Sequence, residues 1–162
     1  MLEGFEVQAD WANLESPEIY LGYEQAQNFA FPGGAELDQP HTYAAPDSLR
    51  LNQWDLAGEW TLARGASVLN EPDGRIVFRF HARDVNLVLG PRERGTSVPF
   101  RVLVDGEPPG PSHGGDVDEQ GNGTVVQQRL YQLIREQGSI ADRTLEISFL
   151  EAGAEAFCFT FG

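Results

Sequence analysis

Residues 75–106 read RIVFRFHARDVNLVLGPRERGTSVPFRVLVDG, and the alternation in this stretch decides the fold class. Ile76, Phe78 and Phe80 alternate with Val77, Arg79, His81 and Arg83, the period of a strand with one dry and one wet face. Ala82 to Asp84 then breaks the count before Val85, Leu87 and Leu89 resume the apolar role, which predicts a bulge or bend that re-aims the side chains. After a polar turn region, Phe100, Val102 and Val104 are set against Arg101 and Leu103 up to Asp105-Gly106, a strong turn signal. The expectation is two strong strands joined by a turn, with the rest of the chain packed around that pair.

Outward from this centre the pattern repeats. Towards the N-terminus, Trp54 to Leu62 reads as a turn entering a strand with Trp60 and Leu62 on one side and Thr61 on the other, and Ser67 to Leu69 as a short strand. Residues 31–46, FPGGAELDQPHTYAAP, read as a loop carrying His41, and Asn70 to Gly74 reads as a turn. Towards the C-terminus, EPPGPSHGGDVDEQGNG (107–123) is too polar and too rich in Gly and Pro for regular structure, and long loops of this kind are often functional. Thr124 to Ile134 reads as one strand, with a helix over VVQQRLYQLIREQ as its competitor; the β-branched start and Gly138 favour the strand. Leu145, Ile147 and Phe149 mark another strand, and Phe157, Phe159 and Phe161 a last one with an aromatic dry face. Seven or more short strands with frequent turns and no βαβ alternation predict an all-β, antiparallel sandwich of jelly-roll type over residues 18–162, with 1–17 as an arm or linker end.

The chain has 162 residues, enough for one domain that buries its core without disulfide or metal. Its formal net charge of -14 argues against a nucleic-acid partner and against an anionic membrane surface. No apolar run is long enough to insert into a membrane, and the first residues carry acids and no apolar signal-peptide core. Every basic side chain besides histidine is Arg, the better residue for planar contacts to carboxylates or sugar hydroxyls. Cys158 stands alone, so no internal disulfide and no CxxC redox pair can form, and it reads as an apolar filler.

No G-x-S-x-G, HExxH, P-loop or GxGxxG signature is present, and no spacing singles out two carboxylates for a hydrolase. Asp116, Asp118 and Asn122 lie in DVDEQGNG, which matches the opening of a calcium loop with acids at positions one and three and Gly at six; Gln120 at five and Gln127 at twelve depart from it. A structural turn is the plain alternative to a structural calcium there. Arg79, His81 and Arg83 line the wet side of the central stretch, either as a solvated, ion-paired face or as a recognition face. In the second reading they join Arg129, Asp105 and Asp116 as hydrogen-bonding groups, with Tyr131 or Trp54 stacking on a sugar ring. Trp60 is assigned to the core, and Trp54 is left between core and platform.

Six motifs in order carry a family resemblance: YLGYEQAQNFA (20–30), FRFHARDVNLVLG (78–90), FRVLVDGEPPG (100–110), GNGTV (121–125), RLYQLIR (129–135) and AFCFTFG (156–162). Together they resemble the C-terminal module of DipZ-type thiol–disulfide proteins. The resemblance implies a jelly-roll sandwich similar to carbohydrate-binding modules, placed outside the cytoplasm beside a thioredoxin-like domain. That redox domain's paired cysteines are absent here, so no oxidoreductase activity carries over. The expected role is a non-catalytic accessory module with a glycan as partner, and the alternative is a module that docks on the thioredoxin-like domain or its substrate without sugar.

Overall fold

A computed structural model describes residues 18–26, 29–31 and 34–162; the expected arm, 1–17, lies outside the described residues. These form eleven strands: β1 (Ile19–Tyr20), β2 (Pro40–Tyr43), β3 (Trp54–Leu62), β4 (Ser67–Leu69), β5 (Gly74–Phe80), β6 (Asp84–Pro91), β7 (Val98–Val104), β8 (Asn122–Val125), β9 (Arg129–Arg135), β10 (Arg143–Phe149) and β11 (Ala154–Phe161). Every strand-to-strand pairing among them is antiparallel. The front sheet runs β8-β7-β10-β5 and ends on the first half of β3. The back sheet starts on the second half of β3 and continues β4-β11-β6-β9, with β2 and β1 added beside β3 and β11. This is the antiparallel jelly-roll-type sandwich that the alternation predicts.

The two sheets are continuous through β3. Trp54 to Ala57 pair with β5, whereas Trp60 to Leu62 pair with β4. Between them stands Gly58 at φ +100°, in the left-handed region that disfavours other residues. A Cβ there would come within 3.0 Å of the Gly74 Cα. The indole N–H of Trp60 donates to the Ala57 carbonyl (2.9 Å), so the strand's own side chain satisfies a backbone group at the corner.

The core is made of aromatic side chains meeting across the sheets. Phe78 of β5 stacks on Phe159 of β11 (4.8 Å), Phe100 of β7 meets Tyr131 of β9 edge-on (6.3 Å), and Phe149 of β10 meets Trp60 of β3 (6.0 Å). All six rings are essentially inaccessible. Such pairs add about 0.5–1.5 kcal/mol each beyond their area burial.

Several local expectations are corrected. The central stretch is not a two-strand pair but three strands. β5 and β7 both border β10 in the front sheet, while β6 lies in the back sheet between β11 and β9. The break at Ala82–Asp84 is therefore the crossing between sheets. The expected strand 124–134 is two strands in different sheets, with neither strand continuity nor a helix at 126–128. The Tyr131 hydroxyl makes that corner, accepting from the Val126 (3.0 Å) and Gln127 (3.3 Å) amides and donating to the Gln127 carbonyl (2.7 Å). The expected loop 31–46 contains β2, whose Tyr43 is buried against β3. In β11 the register slips between Ala156 and Cys158, so Ala154, Ala156, Phe159 and Phe161 face the core and Phe157 is only half-buried.

The corner at Gly58 yields a stability test. Gly58→Ala should destabilise the domain by about 1–3 kcal/mol in urea unfolding. Gly65→Ala, where a Cβ meets nothing within 4 Å and φ is not positive, should be near neutral.

Candidate functional site

The outward side chains of the front sheet form a regular grid, because antiparallel register places Cα partners on the same face. One row runs Ala57, Arg75, Ser148, Arg101, and the next Asp55, Val77, Glu146, Leu103. In a third row Arg79 faces Thr144, whose carbonyl accepts the Asp105 amide (2.8 Å). Arg75 is ion-paired with Glu146, and Arg79 donates to the Thr144 hydroxyl (3.1 Å). The covering segment 45–49 rises beside Arg75, Val77, Thr144 and Glu146 and encloses a groove of about 290 Å³.

The lower edge of this grid is a ladder of ion pairs. His81 Nδ1 lies 2.8 Å from Asp142, and Arg143 is 3.6 Å from Asp105 and 3.2 Å from Glu136. Asp105, at φ +51°, also accepts the Thr144 amide (2.9 Å), which pins the turn after β7 to β10.

Of the residues expected to form one site, Arg79, His81 and Asp105 come together here. The others go elsewhere. Arg83 lies in the crossing and holds the buried Asp84 through Nε (2.9 Å) and an Nη (2.8 Å), with Arg135 at 3.7 Å. Arg129 belongs to the back sheet, where it is paired with Asp116 (2.8 Å) and lies 3.9 Å over the Tyr131 ring. Tyr131 and Trp54 are both buried, so neither offers a face to a sugar. For Trp54 the reason is local: Phe29 stacks on it at 4.5 Å, and Phe29 in turn meets Phe31 and Tyr43. His41 is edge-on to Tyr43 in the same aromatic group (4.7 Å). The grid members that the sequence reading passed over, Arg75, Thr144 and Glu146, stand at the polar positions of strands whose apolar positions were read correctly. Their signal was the alternation itself, but only register shows that the polar positions of β5 and β10 adjoin.

The candidate calcium ligands are committed to protein groups. Asp116 gives one oxygen to Arg129 and the other to the Gln132 amide (2.7 Å). Asp118 accepts the Asn122 and Gln120 amides (2.9 Å each), and that contact with Asn122 holds its carboxyl below the usual range. Among the described residues no group of three or more His, Cys, Asp or Glu could hold a metal ion. DVDEQGNG is a carboxylate-capped turn anchored to β9, the structural alternative to a calcium loop. Cys158 is buried beside β1, where it faces Tyr20 in register and its Sγ lies 3.5 Å from Glu18.

Asp55 is a functional-type residue that the sequence reading did not single out. It is fully buried; Oδ1 accepts the Leu56 amide (2.7 Å), while Oδ2 has no hydrogen-bond partner among the described residues. Burial pushes its carboxyl up from 3.8 to about 6.

Fold and face together define the class: an antiparallel β-sandwich with no α-helix among the described residues, presenting a hydrogen-bonding sheet face. The chain belongs to the thioredoxin-like C-terminal domain family, whose sequence model matches residues 16–162. It is 30% identical over 148 residues to Protein DipZ of Mycobacterium bovis and of Mycobacterium tuberculosis. That alignment covers 91% of this chain and 18% of each relative, so the chain spans under a fifth of the curated relatives it matches. Among solved structures, a family two carbohydrate esterase from Clostridium thermocellum in complex with cellohexaose aligns with TM-score 0.41 and 14% identity, over 60% of this chain and 27% of that one. An active site mutant of that esterase aligns with TM-score 0.42 at the same identity and coverage. Among the described residues no helix is long and apolar enough to cross a membrane.

Two expectations can be measured. Asp116→Ala removes the carboxylate that holds the part-buried Arg129 guanidinium and the Gln132 amide and should cost about 1–3 kcal/mol, whereas adding calcium or a chelator should leave the melting temperature of the parent chain unchanged. Asp55 binds its proton more tightly in the folded chain than in the unfolded one. Stability should therefore fall as pH rises from about 4 to 6, by on the order of 2–3 kcal/mol. Asp55→Asn should flatten that part of the profile in denaturant titrations at stepped pH.

Proposed function

We propose that this chain is a non-catalytic accessory domain of a DipZ-type thiol–disulfide protein, working outside the cytoplasm, and that it docks a polypeptide partner through the outer face of its front sheet. The partner is the thioredoxin-like domain of the same or another chain, or that domain's substrate. Membership of the thioredoxin-like C-terminal domain family supports the setting. The observation that carries the docking reading is the burial of Trp54 and Tyr131, the two rings that a sugar would need beside the Arg–His cluster. Tyr20, the one aromatic ring exposed among the described residues, belongs to β1 on the opposite sheet.

A glycan is the second reading, favoured by the groove of about 290 Å³ between segment 45–49 and Arg75, Thr144 and Glu146. Guanidinium, hydroxyl and carboxylate groups there match sugar hydroxyls without a stacking ring. The role of Arg79, His81 and Asp105 is to present hydrogen-bonding groups in either reading. Arg83, Arg129 and Asp116 support the scaffold behind them.

Amide NMR spectra of this domain titrated with the thioredoxin-like domain of a DipZ-type protein, and separately with cellohexaose, distinguish the readings. The expected result is saturable perturbation of β5, β7 and β10 by the protein and none by the sugar. Saturable shifts around Arg75 and Thr144 with cellohexaose alone would transfer the assignment to the glycan reading.

A further inference from the structure

Charge is distributed unevenly over this acidic molecule. Ion pairs with described carboxylates take up Arg64, Arg75, Arg83, Arg129, Arg135 and Arg143. Arg79 and Arg101 enter no carboxylate pair among the described residues, and both stand on the outer face of the front sheet. Arg101 is exposed and uses its Nε on the Gln120 carbonyl (3.3 Å), leaving the ends of the guanidinium outward. The grid thus carries three guanidinium groups, from Arg75, Arg79 and Arg101, against the carboxylate of Glu146, which is taken up by Arg75, and that of the fully buried Asp55.

In a chain of net charge -14 this grid is a local reversal of sign. Register sets their spacing: Arg75 and Arg101 flank β10 at Ser148, and Arg79 lies four residues along β5 from Arg75, so an extended segment laid over the face meets Arg79 and Arg101 in turn, each contact acting locally because charges beyond about 8 Å are screened at physiological ionic strength. The face is also partly apolar. Leu103 is half-buried beside Glu146, and Leu150, 51% exposed, follows β10 where its amide meets the Pro99 carbonyl.

We infer that the front-sheet face selects an extended, carboxylate-rich polypeptide segment, with Arg79 and Arg101 engaging its acidic side chains and Leu103 and Leu150 its aliphatic ones. This rests on the docking reading and adds the partner's chemistry. Bidentate guanidinium–carboxylate contacts are the strong class of polar contact at such a surface. Steering by the patch makes the association salt-dependent. An acidic polysaccharide would satisfy the guanidinium groups and leave the leucines unused.

The test uses a fluorescent peptide of alternating Glu and Leu, its Gln–Leu counterpart, oligogalacturonate, and the thioredoxin-like domain as ligands. The expected result is saturable binding of the Glu–Leu peptide that weakens at least about tenfold between low and high salt. It should weaken similarly in the Arg79→Gln/Arg101→Gln double variant and in Leu150→Asp, and persist in Arg92→Gln/Arg94→Gln, which alters two exposed cations outside the grid. Equal binding of the Gln–Leu peptide, equal loss in the Arg92/Arg94 variant, or oligogalacturonate binding indifferent to Leu150→Asp would overturn it. Thioredoxin-like domain binding that ignores the Arg79/Arg101 change but is lost in Leu150→Asp would also overturn it, while leaving the docking reading intact. Absence of binding by that domain in every variant and the parent would remove the docking reading as well.

Discussion

One strand ties the sandwich together. β3 spends its first half hydrogen-bonded to β5 in the front sheet and its second half to β4 in the back sheet, and Gly58 supplies the φ of +100° that lets it turn. Sheets twist, and a strand that changes sheets needs a residue free of a Cβ at the corner. The close approach of Gly58 to Gly74 and the Trp60 indole bond to Ala57 then fix the spacing from which the aromatic core is built. Phe78 on Phe159 and Phe149 on Trp60 meet only because that corner holds the sheets at packing distance.

The same spacing leaves the two faces with different work. The back-sheet side spends its polar groups internally: Asp116 on Arg129 and the Gln132 amide, Asp84 on Arg83 and Arg135. Those carboxylates are side-chain buried, so removing the cations beside them would leave buried charge uncompensated. The front face keeps exposed guanidinium groups in a flat array. Such a surface can offer directed hydrogen bonds.

Strand existence was legible wherever alternation was long. Ile76, Phe78 and Phe80, then Phe100 and Val102, then Leu145, Ile147 and Phe149 are all buried as read. The candidate site was half legible. Arg79 occupies a wet position of β5, and His81 and Asp105 directly follow β5 and β7, so the alternation places all three near one edge of the face. Arg83, Arg129, Tyr131 and Trp54 were grouped with them by residue type, although a jelly roll separates sequence neighbours into opposite sheets. Phe157 shows the limit on a smaller scale: one slipped residue in the β11–β6 register takes an aromatic out of the core, and no local signal marks the slip.

By itself the sequence determined the class of fold, the apolar side of most strands, the acidic balance and the family, because each of these follows from residue type and period along the chain. Tertiary structure alone decided which polar positions share a face, that Trp54 lies under Phe29, and that the DVDEQGNG acids bind Arg129 and backbone amides. The physical reason is that antiparallel partners here lie as far as 140 residues apart, as Ile19 and Phe159 do. Composition carries no information about register over that distance, and the chain acquires it only when the sheets close on their core.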